Sequence, residues 1–200
     1  MRMANIWGMT SRERKLAFPC DDLIQEYDPA CTLYRGITIK APVGLVFQWV
    51  SQLRTAPYSY DWIDNGGKPS PRRIIPDLPP LELGQTVMSH FEIIDFQIDE
   101  SITIEATAAG HSKYQLKALV ASYLIKPQDE KSCRLLVKGL MEFRKNPAGR
   151  IMKRLIPGMD LIMMRKQLLN IKMLAEREGE ESWKQANIIP LAQGMPERNI

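Results

Sequence analysis

The chain has 200 residues, of which 44% are hydrophobic and 25% are charged, values that are ordinary for a soluble globular protein. Its formal net charge of +4 is too small to indicate nucleic-acid binding by itself. No apolar run approaches the roughly 18 residues that a membrane-spanning helix needs, and the first twenty residues lack the continuous apolar segment of a signal peptide.

The cysteines and histidines predict neither a disulfide framework nor a metal site. Cys20, Cys31 and Cys133 are odd in number and lack C-x-x-C spacing, so we expect reduced thiols in a cytoplasmic protein. His90 and His111 lie too far apart in sequence to predict a histidine-based metal site. The sequence also lacks phosphate-loop, dinucleotide-binding, zinc-protease and serine-hydrolase motifs. We therefore expect no metal, no cofactor and no nucleic-acid partner.

Residues 1–30 are predicted to form an N-terminal arm of mixed charge with little periodicity. Trp7 is the exception, because an isolated tryptophan in a polar arm is costly to leave in water. We expect Trp7 to pin the arm onto the domain surface, in preference to contacting a ligand.

A strand and a small helix follow the arm. The residues from Leu33 to Lys40 alternate between polar and apolar, which predicts the first strand. Pro42 suits the first turn of a helix, and apolar residues spaced three and four apart place a core face on a helix that ends near Leu53.

A long loop is predicted from Tyr58 to Pro80. Tyr58, Tyr60 and Trp62 are three aromatic residues within five positions, and an Asn-Gly-Gly turn and five prolines follow them. Long ordered loops in small domains often act as lids or binding loops. The aromatic side chains fit two interpretations equally, since they would either plug one end of the core or line a pocket.

The next part of the chain predicts an antiparallel meander. Its strand-like runs, separated by short polar turns that include one at 108–111, are 86–91, 94–98, 102–106, 114–126 and 133–143. Ile94, Phe96 and Ile98 are expected to share one face. We expect the other face of the sheet to be solvated, with Ser101 and Thr103 on it.

The clearest helical pattern covers residues 157–177. Apolar residues recur there at spacings of three and four, namely Leu161, Met164, Leu168, Ile171 and Ala175. Ile162, Leu169 and Met173 add a second apolar strip on an adjoining face. We therefore expect this helix to be covered from more than one side.

The ends of this helix are also predicted. Residues 150–156 begin helically, but Pro157-Gly158 is expected to interrupt and kink the helix. Residues 179–200 are polar and rich in turn formers, so they are expected to be a poorly ordered tail. Because the sequence shows no internal repeat and no second core, residues 31–178 are predicted to be one domain between the arm and the tail.

This order of elements resembles the START-like superfamily, also called SRPBCC or helix-grip, which includes polyketide cyclase/dehydrase and lipid-transport proteins. The segment ITIKAPVGLVFQWVSQL is similar to the first strand and helix of that superfamily. YSYDWIDN and RRIIPDLPPLELGQTV are similar to the loop and second-strand entry of an uncharacterised bacterial branch. The resemblance covers roughly residues 7–178. It implies an α+β fold in which a curved antiparallel sheet wraps around a long C-terminal helix, with a small helix after the first strand and an N-terminal arm.

The resemblance also implies an apolar cavity between the sheet and the helix. The expected function is to bind a hydrophobic small molecule or lipid there, as a carrier or sensor. The alternatives are a polyketide cyclase/dehydratase-like enzyme that uses the same cavity, and an interaction protein whose interior is packed solid. The superfamily has no universal catalytic motif, so no catalytic residue is assigned. The candidate ligand-binding residues are Tyr58, Tyr60, Trp62, His90, Tyr123, Met141, Met164 and Leu168.

Three groups of polar residues allow a chemical interpretation. Asp61 and Asp64 beside the loop aromatics would suit acid–base chemistry. An aspartate at the start of a short helix more commonly caps the helix or favours its positive end, and we prefer that interpretation. His90, if it points inward, is the best single candidate for proton transfer. A basic run between Arg144 and Arg154 is expected to be a solvated rim, with contact to an anionic membrane surface as the alternative.

Overall fold

The computed structural model describes the backbone of residues 3–24 and 27–192, and the side chains of residues 4–24 and 27–184. The strands of this part of the chain are β1 (Ile6–Trp7), β2 (Leu33–Ile39), β3 (Thr86–Val87), β4 (Phe91–Gln97), β5 (Ser101–Ala106), β6 (Leu116–Asp129) and β7 (Ser132–Phe143). Its α-helices are α1 (Cys20–Leu23), α2 (Val43–Ser51), α3 (Asp61–Asp64), α4 (Ala108–Tyr114) and α5 (Pro147–Ala192).

The strands form one curved sheet in the order β1-β2-β7-β6-β5-β4-β3. β1 runs parallel to β2, and every other neighbouring pair is antiparallel. The predicted α+β class is therefore confirmed, with the long helix α5 at the C-terminal end and the small helix α2 directly after β2. This arrangement is the helix-grip fold.

One face of the sheet packs against α2 and α5 and forms the main apolar core. On α5, the residues Leu168, Ile171 and Ala175, which were predicted to lie on its core face, are completely buried in it. Trp49 and Val50 bring α2 into the same core. The sheet contributes a row of inward side chains that includes Ile39, Ile93, Ile104, Leu135 and Val137. The helical periodicity thus predicted correctly which side of α5 is buried.

The opposite face of the sheet is not solvated, so that prediction is wrong. The N-terminal arm lies across it, and Phe18 and Cys20 pack on Leu136 and Leu140 in a second apolar cluster. Polar side chains beneath the arm are buried but hydrogen-bonded, since Ser122 Oγ lies 2.8 Å from Thr103 Oγ1 and accepts from the Cys20 amide at 2.9 Å. The alternation of polar and apolar residues along a strand does not show whether its more polar face contacts water or another segment of the same chain.

Trp7 fixes the beginning of the arm, as predicted. Its backbone extends the sheet as part of β1, and its half-buried ring packs against the main core. The guanidinium carbon of Arg165 lies 5.8 Å from the centre of the ring, which adds a cation–π contact with α5.

A bulge in β4 changes the predicted faces of that strand. The register shifts between Ile93 and Asp95, so Ile93 packs in the main core while Ile94 packs against the arm cluster. Phe96 then contacts the main core, and Ile98 is 62% exposed. The expected single face of residues 94, 96 and 98 is therefore wrong, because a bulge moves one residue out of the alternation.

The expected turn at 108–111 is instead the helix α4. Thr107 caps this helix, because its Oγ1 accepts a hydrogen bond from the Gly110 amide at 3.4 Å. The helix ends at Tyr114, and the following residue, Gln115, caps it with a left-handed φ of 54°.

The expected interruption and end of the last helix are also wrong. α5 runs without a break through Pro157-Gly158 and continues to Ala192, past the predicted end at residue 178. Proline removes one backbone hydrogen bond, but the buried Pro157 lies on the face that packs against the domain. The remainder of the expected tail, residues 193–200, lies outside the described residues. Packing of one face outweighs the local helix-breaking signals.

The second apolar strip of α5 is not covered. Ile162, Leu169 and Met173 are 59%, 41% and 47% exposed. The expectation that this helix is covered from more than one side is therefore not met within the described part of the chain.

Candidate functional site

Four of the eight predicted ligand-binding residues come together between the sheet and α5. Tyr58 and Tyr123 are 1% and 2% exposed, and Leu168 is completely buried. The half-buried Met164 packs against the same cluster. They reach this cluster from the loop, from β6 and from α5. The α5 side chains lie on its core face because they are separated by four residues, about one helical turn.

A polar network crosses this apolar layer. The Tyr123 hydroxyl donates a hydrogen bond to Gln167 Oε1 at 2.9 Å and lies 3.8 Å from Met164 Sδ. Gln167 Nε2 donates in turn to the Pro57 carbonyl at 2.8 Å and lies 3.2 Å from Met88 Sδ. Burial raises the pKa of Tyr123, so its phenol stays protonated and neutral. The network therefore presents uncharged polar groups and two thioethers to an apolar interior.

Gln167 and Met88 were not among the predicted residues. A signal for Gln167 was present, since position 167 lies three residues after Met164 and four before Ile171 on the buried side of α5. A glutamine on the core face of a helix requires hydrogen-bond partners. Met88 carried no comparable signal, because it lies in a short segment with a left-handed φ of 48° between two strands.

Tyr58 joins the loop to α2 and α5. Its ring packs edge-on against Trp49 with the ring centres 5.7 Å apart, and its hydroxyl accepts from Gln52 Nε2 at 3.1 Å. Asn170 Nδ2 of α5 donates to the Tyr58 carbonyl at 2.8 Å. Burial raises the pKa of Tyr58 to about 12. Tyr58 therefore plugs this end of the core.

The two loop aspartates mainly bind serines of their own loop. Asp61 accepts from the Ser70 amide at 2.9 Å and from the Ser70 hydroxyl at 2.5 Å. Asp64 accepts from the Ser59 hydroxyl. No side-chain hydrogen bond caps α3, whose N-cap residue is Tyr60, so capping by an aspartate is wrong. Asp61 and Asp64 do lie in the first turn of α3, where a negative charge favours the positive end of the helix. The contacts with the two serines hold the loop to itself.

Tyr60 and Trp62 lie on the outer part of the loop. Tyr60 is half-buried, whereas Trp62 is 76% exposed. Neither is part of the apolar cluster around Tyr123. The loop therefore divides its aromatic side chains between the core, where Tyr58 lies, and the solvent.

His90 lies beside α4 at the entry to β4. Its Nε2 atom is 2.8 Å from Lys113 Nζ, and its ring packs edge-on against Tyr114 with the centres 6.1 Å apart. Burial and the charge of Lys113 lower the pKa of His90, so the neutral imidazole accepts from the lysine at Nε2. Its buried Nδ1 atom has no hydrogen-bond partner among the described residues. Lys113 was missed, because nothing in the sequence pairs it with His90.

Met141 lies in a different apolar cluster. It packs with Cys31, Leu33 and Phe143 near the beginning of α5. Two surface clefts, of about 410 and 900 Å³, also lie away from the Tyr123 network, and neither is lined by any of the eight predicted residues. The structure therefore does not bring Met141 together with Tyr123.

The described residues contain neither a metal-binding cluster nor a membrane-spanning helix. No group of three or more histidine, cysteine, aspartate or glutamate side chains there is arranged to hold a metal ion. None of the described helices is both long enough and apolar enough to cross a bilayer.

No family model matches the sequence, and no curated protein is significantly similar to it. Among solved structures, an aromatase/cyclase from a Streptomyces species is 12% identical with a TM-score of 0.49, over 73% of this chain and 93% of that one. A protein from Arthrobacter aurescens is 13% identical with a TM-score of 0.48, over 77% and 92% of the two chains. Norcoclaurine synthase from Thalictrum flavum is 11% identical with a TM-score of 0.46, over 74% and 94%. Apart from these similarities, the sheet order and the packing of α5 on the sheet themselves give this chain the helix-grip fold.

Proposed function

We propose that this protein binds a hydrophobic small molecule or lipid between the sheet and α5, as a carrier or sensor. The observation that supports this most is the convergence of Tyr123, Gln167, Met88 and Met164 within an otherwise apolar layer. Ligand sites are typically apolar with a few polar groups that fix the orientation of the ligand. Removal of apolar area from water would drive binding, at roughly 25 cal/mol per Å² before the costs of association.

The residues of this network favour a particular kind of ligand. Protonated Tyr123 and the amide of Gln167 are both uncharged, so they suit a hydroxyl or carbonyl group better than a carboxylate. The thioethers of Met88 and Met164 adapt to irregular apolar shapes. The ligand would therefore be largely apolar, with a neutral polar group near Tyr123.

The loop from Tyr58 to Pro80 would act as the gate. Side-chain hydrogen bonds attach it to the helices, including one from Asn170 to the Tyr58 carbonyl and one from the Ile75 amide to Gln52. Few of its backbone groups take part in regular structure, so it would open at lower cost than the sheet. Tyr60, Trp62 and His90 would then meet the ligand at the entrance.

The first test is native mass spectrometry of the purified protein, followed by organic extraction. A co-purifying apolar compound, or binding of the neutral fluorescent probe N-phenylnaphthylamine, would support the proposal. Met164→Trp should fill the site and weaken probe binding about tenfold or more. Met159→Trp is the matched control, since Met159 is 53% exposed on the same helix. Absence of both a bound compound and probe binding would reject the proposal.

A second candidate function is proton transfer by a cyclase- or dehydratase-like enzyme. It is favoured by the neutral His90, whose buried Nδ1 atom has no hydrogen-bond partner among the described residues. It is also favoured by Asp64, because burial raises the pKa of its carboxyl group. Extraction of the wild type and of His90→Gln would distinguish this enzyme from a carrier. A catalysed conversion would leave different compounds in the two proteins, whereas the same compound in both would exclude the enzyme.

A further inference from the structure

The solvent face of α5 carries a second apolar stripe. It consists of six side chains that are between 41% and 60% exposed, namely Ile151, Leu155, Met159, Ile162, Leu169 and Met173. With 3.6 residues per turn these side chains fall within an arc of about 80°, and they extend over about 33 Å of helix. The buried Ile171 points in roughly the opposite direction. We call this surface the α5 stripe.

Such a surface is unusual for a protein that acts only in water. Single exposed apolar residues are ordinary, but a contiguous exposed patch marks a site of interaction. The regular spacing places the α5 stripe along one straight helix, so its six side chains can contact one flat surface at the same time.

Basic side chains accompany the α5 stripe. Residues 144–173 contain eight lysine and arginine residues and a single acidic residue, Asp160. The Asp160 carboxylate is held by the buried Arg35, with Nη2 and Oδ2 2.6 Å apart, so it does not oppose the charge on the outer face. Arg154 is exposed beside the α5 stripe, and Lys166 is exposed within its arc, between Ile162 and Leu169. An exposed apolar face with basic residues beside it is typical of helices that lie on anionic membranes.

The cleft of about 410 Å³ at the beginning of α5 extends the positive surface. Arg144, Lys145 and Arg150 line it. Its acidic side chains, Asp28 and Glu142, form ion pairs with lysines. The net charge at this end of the α5 stripe is therefore positive.

We propose that the α5 stripe docks this protein onto an anionic lipid surface. The apolar side chains enter the boundary between head groups and acyl chains, and the basic side chains attract the anionic head groups. This proposal rests on exposed residues of α5 and is independent of the proposed ligand between the sheet and the helix.

The charge disfavours a second copy of the chain as the partner. If the α5 helices of two copies packed antiparallel, their stripes would face each other over their full length only with the two-fold axis near Ile162. Arg165 and Lys166 of both copies would then lie within about one turn of the two-fold axis and repel one another.

The test is co-sedimentation of the full chain with lipid vesicles. Binding is expected with vesicles of equal parts phosphatidylglycerol and phosphatidylcholine at low salt. It should weaken as salt is added, because salt screens the charge attraction, and vesicles of phosphatidylcholine alone should bind much less.

Two double variants separate the apolar and basic contributions. Leu155→Asp with Ile162→Asp should lower partitioning to the anionic vesicles about tenfold or more. Arg150→Glu with Arg154→Glu should do the same by reversing charge. The matched control is Leu83→Asp with Ile98→Asp, whose side chains are 64% and 62% exposed and are not part of α5. This control should bind like the wild type. Circular dichroism confirms that each variant is folded.

Two results would overturn the proposal. One is equal sedimentation with neutral and anionic vesicles, or none with either. The other is a dimer in analytical ultracentrifugation that Ile162→Asp dissociates, together with no vesicle binding, because that result assigns the α5 stripe to a second copy. N-phenylnaphthylamine binding, measured on the same variants, tests the interior site separately.

Discussion

At the scale of single residues, the buried side chains of Tyr123 and Gln167 depend on each other for hydrogen bonding. Each provides the other with a hydrogen-bond partner where water is excluded. A buried polar group left without a partner costs about 1 to 3 kcal/mol, whereas replacing both partners by apolar groups costs much less. The pair is thus stable only as a unit.

We therefore expect Tyr123 and Gln167 to be strongly coupled. Gln167→Leu should lower the free energy of unfolding by about 2 kcal/mol, because it leaves the Tyr123 hydroxyl and the Pro57 carbonyl unpaired. Tyr123→Phe combined with Gln167→Leu should cost clearly less than the sum of the two single variants. Urea denaturation of all four proteins measures this, and strictly additive effects would show that the two residues act independently.

Gly8 is a second residue whose role is set by its surroundings. It has a left-handed φ of 69°, and a Cβ atom there would lie 2.0 Å from the Gly36 carbonyl oxygen. Gly8→Ala should therefore lower the free energy of unfolding by about 3 kcal/mol, through a strained backbone together with a clash. Gly84→Ala is the control, since Gly84 has a φ of 80° but open space around it, and should cost about 1 kcal/mol. Equal losses in urea denaturation would contradict the clash.

At the scale of elements, the arm is attached to the sheet by an ion pair that predicts a pH dependence. Arg134 donates to both carboxylate oxygens of Glu13, at 2.7 and 3.0 Å, and both side chains are less than 20% exposed. Burial raises the pKa of Glu13, but hydrogen bonds from Arg134 and Thr10 outweigh it, so the pKa is lowered below its ordinary value of 4.5. An acid with a lowered pKa stabilises the fold above its unfolded pKa and loses that contribution as the pH falls.

Glu13→Gln should accordingly lower the free energy of unfolding by about 1 to 2 kcal/mol at neutral pH. The difference from wild type should shrink as the pH falls below about 4.5, where the glutamate of the wild type also becomes protonated. Urea denaturation at several pH values provides the measurement. A difference that stays constant down to pH 3 would mean that packing, and not charge, is lost in the variant.

The elements also show which parts of the fold are predictable from sequence. β2, α2 and the core face of α5 followed from local periodicity, because each buries one regular face. The cover on the far side of the sheet did not, because Phe18 and Cys20 lie in an arm without periodicity and meet Leu136 and Leu140 only in three dimensions. Residues 108–111 were misassigned because a capped helix and a turn begin with the same residue types. In α5, tertiary packing outweighed Pro157 and Gly158.

In the candidate site too, local periodicity predicts some residues, whereas others are recognised only from three-dimensional contacts. Met164 and Leu168 were predicted to lie together because helical spacing places them on a buried face, and Tyr58 was selected because three aromatic residues lie within five positions of the loop. Gln167 was missed because apolar patterning gives no weight to a buried polar residue. The pairing of Lys113 with His90 joins two segments that sequence alone does not bring together.

At the scale of the whole molecule, the loop from Tyr58 to Pro80 and the sheet are held in place by different kinds of hydrogen bond. β6 and β7 form a hairpin of 14 and 12 residues whose backbone hydrogen bonds are continuous apart from small register shifts. The loop from Tyr58 to Pro80 depends instead on side-chain contacts, such as the bonds from Asn170 to Tyr58 and from Arg177 to the Arg72 carbonyl. Local opening of the loop should therefore occur without unfolding of the sheet.

Hydrogen exchange would detect this difference directly. Asn170→Ala should speed the exchange of amides in the loop about tenfold while leaving β6 and β7 unchanged, because it removes one hydrogen bond that holds the loop, worth about 1 kcal/mol or slightly more. Lys172→Ala is the control, since Lys172 Nζ on the same helix donates to the Thr38 carbonyl at 2.8 Å and not to the loop. If the loop gates the interior, Asn170→Ala should also speed association of N-phenylnaphthylamine. Faster exchange throughout the sheet would show that the loop and the sheet open as one unit, and a gate in this position would then be excluded.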